Sequence, residues 1–295
     1  MAAGPAAAGP HGVRDPLAVT TADLRAESRF PVRIFPSVAA LHQDFAPAFA
    51  ALLAERNRAG RPTRVSLPVG PFDYQLLART LNDGRIDCRG LTIFGMDEFC
   101  DESGRAVPET HPWSLRAFLE SELCARVDPA LGLRPIGEGR IYPDAPALVR
   151  YRQALAEGPL DASFFGFGIN GHVGMNEPPE PEEGHVSAET YRALAARPVR
   201  LSRETITQLA MGGSAGDLAG VPAQGVTLGM SEVLGARQLR VYLMRTWQPA
   251  VMRRALYGPV TPACPASFVQ THPDVVVNLV EYVAATPWFN TTQNP

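Results

Sequence analysis

The chain is short of the features that most quickly assign a protein. Its four cysteines, Cys88, Cys100, Cys124 and Cys264, form no C-x-x-C pair and are too sparse for a disulfide scaffold. No metal is expected, because His172, His185, Glu182 and Glu183 match no standard ligand spacing. No run approaches the roughly 18 consecutive apolar residues that cross a bilayer. The formal net charge of −3 lacks the basic excess that nucleic acid or an anionic membrane surface asks of a partner. The opening stretch MAAGPAAAGPHGVRDPLAVT has neither a charged n-region nor a continuous apolar core, so it does not read as a secretory signal. Rich in Ala, Gly and Pro, it predicts a flexible tail over residues 1–27. These absences leave a cytoplasmic protein whose partner is a small molecule, not nucleic acid or a membrane.

What is present is a regular alternation. RVSLPV (64–69), LTIFGM (91–96), ASFFGFG (162–168), GVTLG, QLRVYLM and DVVVNLV read as buried strands. Between them lie helical stretches such as SVAALHQDFAPAFAALLAERNR, FDYQLLARTLND, WSLRAFLESELCARV, ALVRYRQALAEG and QPAVMRRALYG. Continuous apolar strands separated by helices predict βαβ units. The expected fold is α/β: one domain over residues 28–295, with a mostly parallel, Rossmann-like sheet flanked by helices. Ligands of such sheets bind beyond the carboxyl ends of the strands.

Those ends carry the chemistry. After RVSL come Val69-Gly70-Pro71-Phe72, and after LTIFGM come Asp97 and Glu98. After ASFFGFG come Asn170, Gly171, His172 and, five positions later, Glu177. GFGING has the G-x-G-x-x-G spacing of a dinucleotide loop. That motif requires a long helix to open at its third glycine, so that the helix N-terminus meets the pyrophosphate. Pro178, Pro179 and Pro181 forbid such a helix. The glycines instead predict a tight loop that brings Asn170, His172 and Glu177 into one cleft. A histidine beside a carboxylate suits proton transfer near neutral pH, although a turn-capping histidine and a solvated glutamate would share the pattern.

SLPVGPFDYQLL, TIFGMDEF, HPWSLRAFL, GFGINGHVGMNEP, VPAQGVTLGMSEVLGA and QTHPDVVV occur in this order from about residue 30 to residue 277. Together they resemble the glucosamine-6-phosphate deaminase/isomerase family, related to the 6-phosphogluconolactonases. GINGHVGMNEP with MDEF is similar to the deaminase branch; the lactonase loop reads closer to DGHTASLFP. The resemblance implies ring opening of an amino sugar, an aldose–ketose shift between C1 and C2, and loss of ammonia, with no organic cofactor or metal. It implies that Asp97 moves the C2 proton and that His172 serves ring opening, with Asn170 and Glu177 completing its relay. The family contains both monomers and hexamers, so a homo-oligomer is open.

The phosphate end departs from the family. Where the family has a T-G-G-T-P type loop, this chain has Val69-Gly70-Pro71-Phe72, without hydroxyls and with one N–H fewer. Where the family lysine follows its strand, this chain has Arg245-Thr246-Trp247-Gln248-Pro249. The position of a family arginine falls near Met211, followed by the insertion GGSAGD; the Gly-rich stretch Gly212–Gly220 is a candidate lid or a plain surface loop. Charge-assisted phosphate contacts are worth about 1.5–3 kcal/mol each, so three losses weaken a phosphosugar severely unless Arg245, Arg197, Arg200 or Arg203 replaces them. The substrate-binding candidates are Val69, Gly70, Pro71, Phe72, Glu98, Gly171, Arg245 and Gln248. The expected reaction is amino-sugar deamination and isomerisation on a sugar lacking the 6-phosphate or bearing another group. The alternatives are a phosphosugar deaminase with relocated arginines, a lactonase-like sugar hydrolase, and a non-catalytic sugar-binding protein.

Overall fold

The computed structural model describes residues 15–26, 28–70 and 72–287. Among the described residues ten strands form: β1 (Val32–Phe35), β2 (Thr63–Leu67), β3 (Leu91–Gly95), β4 (Asp97–Cys100), β5 (Arg140–Ile141), β6 (Ala162–Phe165), β7 (Arg197–Arg200), β8 (Gln224–Thr227), β9 (Leu239–Leu243) and β10 (Val275–Val280). Seven make one parallel sheet in the order β1-β10-β9-β6-β2-β3-β5. Every residue of β3 and β6 is buried, as strands covered on both faces must be. This is the expected α/β sheet.

From β2 the chain proceeds outward through β3 to β5, and from β6 it proceeds the other way through β9 to β10. The strand order therefore reverses between the neighbours β2 and β6, and the crevice beyond their carboxyl ends is the natural ligand site. Helix formation around it follows local rules. Asp73 caps the helix Tyr74–Asp83 by accepting from the Leu76 N–H at 2.7 Å, and Ser202 caps Arg203–Gly213 through the Thr205 N–H at 3.2 Å.

Two expectations change. GVTLG is not part of the parallel sheet: its strand β8 is the centre of an antiparallel sheet of order β4-β8-β7. Residues 15–26, expected to lie in a flexible tail, also carry regular structure. They form a 3-10 turn, Pro16–Ala18, and a helix, Thr21–Ala26, with Leu24 buried. Arg253, fully buried, holds this segment by donating from Nε to the Val19 carbonyl at 2.6 Å. Val19 and Leu24 are buried, and Thr21 Oγ1 donates to the Ala284 carbonyl at 2.8 Å. Residues 1–14 lie outside the described residues. No described helix is long and apolar enough to cross a membrane.

Candidate functional site

The carboxyl ends of β2, β3, β6 and β9 open onto a cavity of about 750 Å³. A single residue, Met96, separates β3 from β4, and the antiparallel pairing of β4 sets Asp97 opposite Thr227 of β8. Alternation along a strand sends neighbouring side chains to opposite faces. Asp97 lines the cavity, while Glu98 turns beneath it. Asp97 Oδ1 accepts from Thr227 Oγ1 at 2.5 Å and from the Met175 N–H at 3.1 Å. Gly174 lies against this carboxylate at φ +60°; a Cβ there would stand 2.9 Å from both Asp97 Oδ1 and Thr227 Oγ1. Burial pushes the Asp97 carboxyl up to about 7; the hydrogen bonds from Thr227 and Met175 oppose the rise and the Glu98 charge adds to it. A carboxyl balanced near neutral pH gives and takes protons readily.

His172 reaches the same cavity from the loop after β6. Its tautomer follows from its neighbours. Asn170 Nδ2 donates to Glu177 Oε2 at 2.7 Å, which turns Asn170 Oδ1 toward the imidazole. That oxygen can only accept, so Nδ1, 2.9 Å away, carries the proton. Nε2 is left as the acceptor. The Thr205 hydroxyl lies 3.0 Å from Nδ1, and Ser202 Oγ donates to Glu177 Oε2 at 3.1 Å. Glu177 stands 3.7 Å behind the ring. Burial lowers the His172 pKa, with the Glu177 charge acting against it, so the neutral imidazole is favoured. The ring lies flat on Gly168, where a Cβ would stand 2.0 Å from it.

Asp97 and His172 therefore share one cavity, and Asn170 and Glu177 form the chain of groups behind the histidine. Glu177 itself lines a different cavity, with Arg197, Arg200 and Arg203. Those three arginines consequently do not replace phosphate contacts on the Asp97 side; Arg197 instead donates to Asn176 Oδ1 at 2.7 Å.

Two expected binding residues are structural. Glu98, 2% exposed, accepts from the Phe99, Leu115 and Arg116 N–H groups at 2.8–2.9 Å, closing the start of the helix Leu115–Glu122. The unpaired amides of a helix N-terminus attract its carboxylate away from the cavity. Gly171, at φ +88°, packs on Cys264, whose Sγ would lie 2.7 Å from an added Cβ. Val69, Gly70, Phe72, Arg245 and Gln248 do line the cavity; Pro71 lies outside the described residues. The Gln248 amide is already engaged, accepting from the Arg245 N–H at 2.8 Å and donating to the Phe167 carbonyl at 2.9 Å. Gly212, Gly213 and Asp217 of the candidate lid also line the wall. The chain has no lysine at all, and Arg245 is the one guanidinium on this wall among the described residues. Among those residues no group of three or more His, Cys, Asp or Glu is placed to hold a metal.

Thr227, Ser202 and Thr205 were not among the sequence candidates: Thr227 holds Asp97, Ser202 holds Glu177 and Asn170, and Thr205 lies against His172. Ser202 and Thr205 do carry a signal, a serine N-cap with a threonine three residues on. Nothing in the local sequence marks Thr227, because its partner is 130 residues away.

No family model matches the chain. A glucosamine-6-phosphate deaminase of Rhodopirellula baltica is 28% identical over 248 residues, covering 83% of this chain and 92% of that protein. One from Streptococcus pneumoniae serotype 4 is 30% identical over 193 residues, 65% of this chain and 74% of that protein. The fold is shared with a monomeric glucosamine-6-phosphate deaminase at a TM-score of 0.71, with 20% identity, 86% of this chain and 99% of that one. It is shared with a 6-phosphogluconolactonase of Trypanosoma cruzi at 0.63, with 16% identity, 87% of this chain and 96% of that one.

Proposed function

The chain is an enzyme of the glucosamine-6-phosphate deaminase family, and from that premise we propose that it opens the ring of a 2-amino-2-deoxy sugar, isomerises it and releases ammonia. The observation that carries the reading is the convergence of Asp97 and His172 on one cavity, each with a proton affinity that burial has adjusted. His172 Nε2 takes the O1 proton as the C1–O5 bond breaks and delivers it to O5. Asp97 then removes the C2 proton of the open-chain aldehyde, and O1 takes, through solvent, the proton given up by the substrate's C2 ammonium as the C1–C2 double bond forms; the nitrogen is left with a free lone pair. Asp97 returns its proton to C1, the nitrogen lone pair closes a C2 iminium, and water adds to C2 with loss of ammonia. Water is the only co-reactant. Glu177 acts through Asn170: it orients the amide that fixes the histidine tautomer, and its charge stabilises the imidazolium formed in passing.

The test is ammonia release in a coupled assay, from glucosamine-6-phosphate and from unphosphorylated glucosamine side by side. Turnover is expected to fall by about a thousandfold or more in Asp97→Asn, in line with the loss of a general base. Release that survives this substitution would remove Asp97 from the mechanism.

A further inference from the structure

The rest of the cavity wall is poorly suited to a phosphate. An anion is held beside a parallel strand where free N–H groups open a helix. After β2 that place is the start of the helix Tyr74–Asp83, and there the Asp73 carboxylate already accepts from the Leu76 N–H at 2.7 Å. A second anion would meet its charge. The Phe72 ring beside it is fixed in the core, 4.7 Å from the Phe45 ring and 5.2 Å from Tyr242. The charged side chains on the wall among the described residues are Asp97, Asp217 and Arg245. One guanidinium against two carboxyls is a poor match for a phosphate monoester, which brings about −1.5 to −2 charges.

The same wall offers Val69, Phe72, Trp113, Phe118, Met244 and Trp247. Phe118 is 38% exposed. Trp113 is braced edge-on by Phe99 at 5.5 Å, so its own conformation is largely set before any ligand arrives. A volume of about 750 Å³ lies in the range of roughly 300–1,000 Å³ that takes drug-sized ligands, and a hexose alone leaves part of it empty.

We propose that the substrate is a reducing amino sugar whose far end carries an uncharged, apolar or aromatic substituent in place of the phosphate. The identity of the sugar head rests on the chemistry proposed above. That chemistry needs C1 free to open and the amine on C2; of the remaining positions C6 lies farthest from the reacting carbons, and its substituent is the one seated on Trp113 and Phe118.

The experiment measures binding separately from turnover. Isothermal titration compares three open-chain alditols that cannot react: 2-amino-2-deoxyglucitol, its 6-phosphate and its 6-O-benzyl ether. The benzyl ether is expected to bind at least about tenfold more tightly than the parent, and the phosphate no more tightly than the parent. Phe118→Ala is expected to remove most of the benzyl advantage, with an unchanged circular dichroism spectrum showing that the variant is folded. A phosphate preference of tenfold or more overturns the proposal, as does equal binding of all three or binding of none. Ammonia release from the three corresponding aldoses is read in parallel. Tight benzyl binding without release from any aldose would sink the deaminase reading and leave this specificity standing.

Discussion

Asp97 binds its proton far more firmly in the folded protein, at about 7 against an ordinary 3.8. A raised carboxyl contributes stability that is fully present below the unfolded pKa and is lost as pH rises through the folded one. Stability is therefore expected to decline between about pH 4 and pH 7 on account of this residue. Asp97→Asn removes that decline, keeps an oxygen for Thr227 and Met175, and is expected to raise stability at pH 8 on the order of 1 kcal/mol or more, read by urea unfolding. Activity runs the opposite way: the base must be ionised, so kcat/KM is expected to rise with pH along a limb centred near 7. A profile flat from pH 5 to 8 would contradict the role given to Asp97.

At the scale of the element, the loop after β6 depends on close contacts that only glycine permits. A Cβ at Gly168 would overlap the His172 ring, 2.0 Å from Nε2. Gly168→Ala is expected to lower kcat about a hundredfold through misplacement of the imidazole, and to cost about 1–3 kcal/mol of stability through overpacking. Glu98 belongs to a different element problem. Its carboxylate ties β4 to the helix Leu115–Glu122, so Glu98→Gln is expected to cost about 1–3 kcal/mol in denaturant unfolding. The same change takes a negative charge from beside Asp97, and the rising limb of the pH profile is expected to move slightly downward.

Across the whole molecule, Arg253 joins distant parts of the chain. Besides Val19, it donates from Nη2 to the Ala284 carbonyl at 2.6 Å, linking the N-terminal segment to the helix Glu281–Ala284. Arg253→Met leaves two buried carbonyls without these donors. It is expected to cost about 2–4 kcal/mol and to make residues 15–26 sensitive to protease, with kcat unchanged because neither segment carries a reactive group.

The βαβ alternation was legible in the sequence because strands buried on both faces must be continuously apolar. The placement of Asp97, Asn170, His172 and Glu177 just beyond two such strands was legible as well, because they follow those strands within short motifs. Other properties depended on contacts that no local pattern encodes. β8 carries a strand pattern whichever sheet it joins, and only its antiparallel pairing with β4 brings Thr227 to Asp97. Glu98 and Asp97 are neighbours of one chemical kind, and pleat alternation alone sends one into the cavity and the other to a helix start. The absence of lysine could be read directly, but that Phe72, Trp113 and Phe118 line one cavity depended on the packing of separate segments. Local sequence determines which residues can react. The burial that raises one pKa and lowers another comes from segments far apart in the chain, and so it was decided by the tertiary structure.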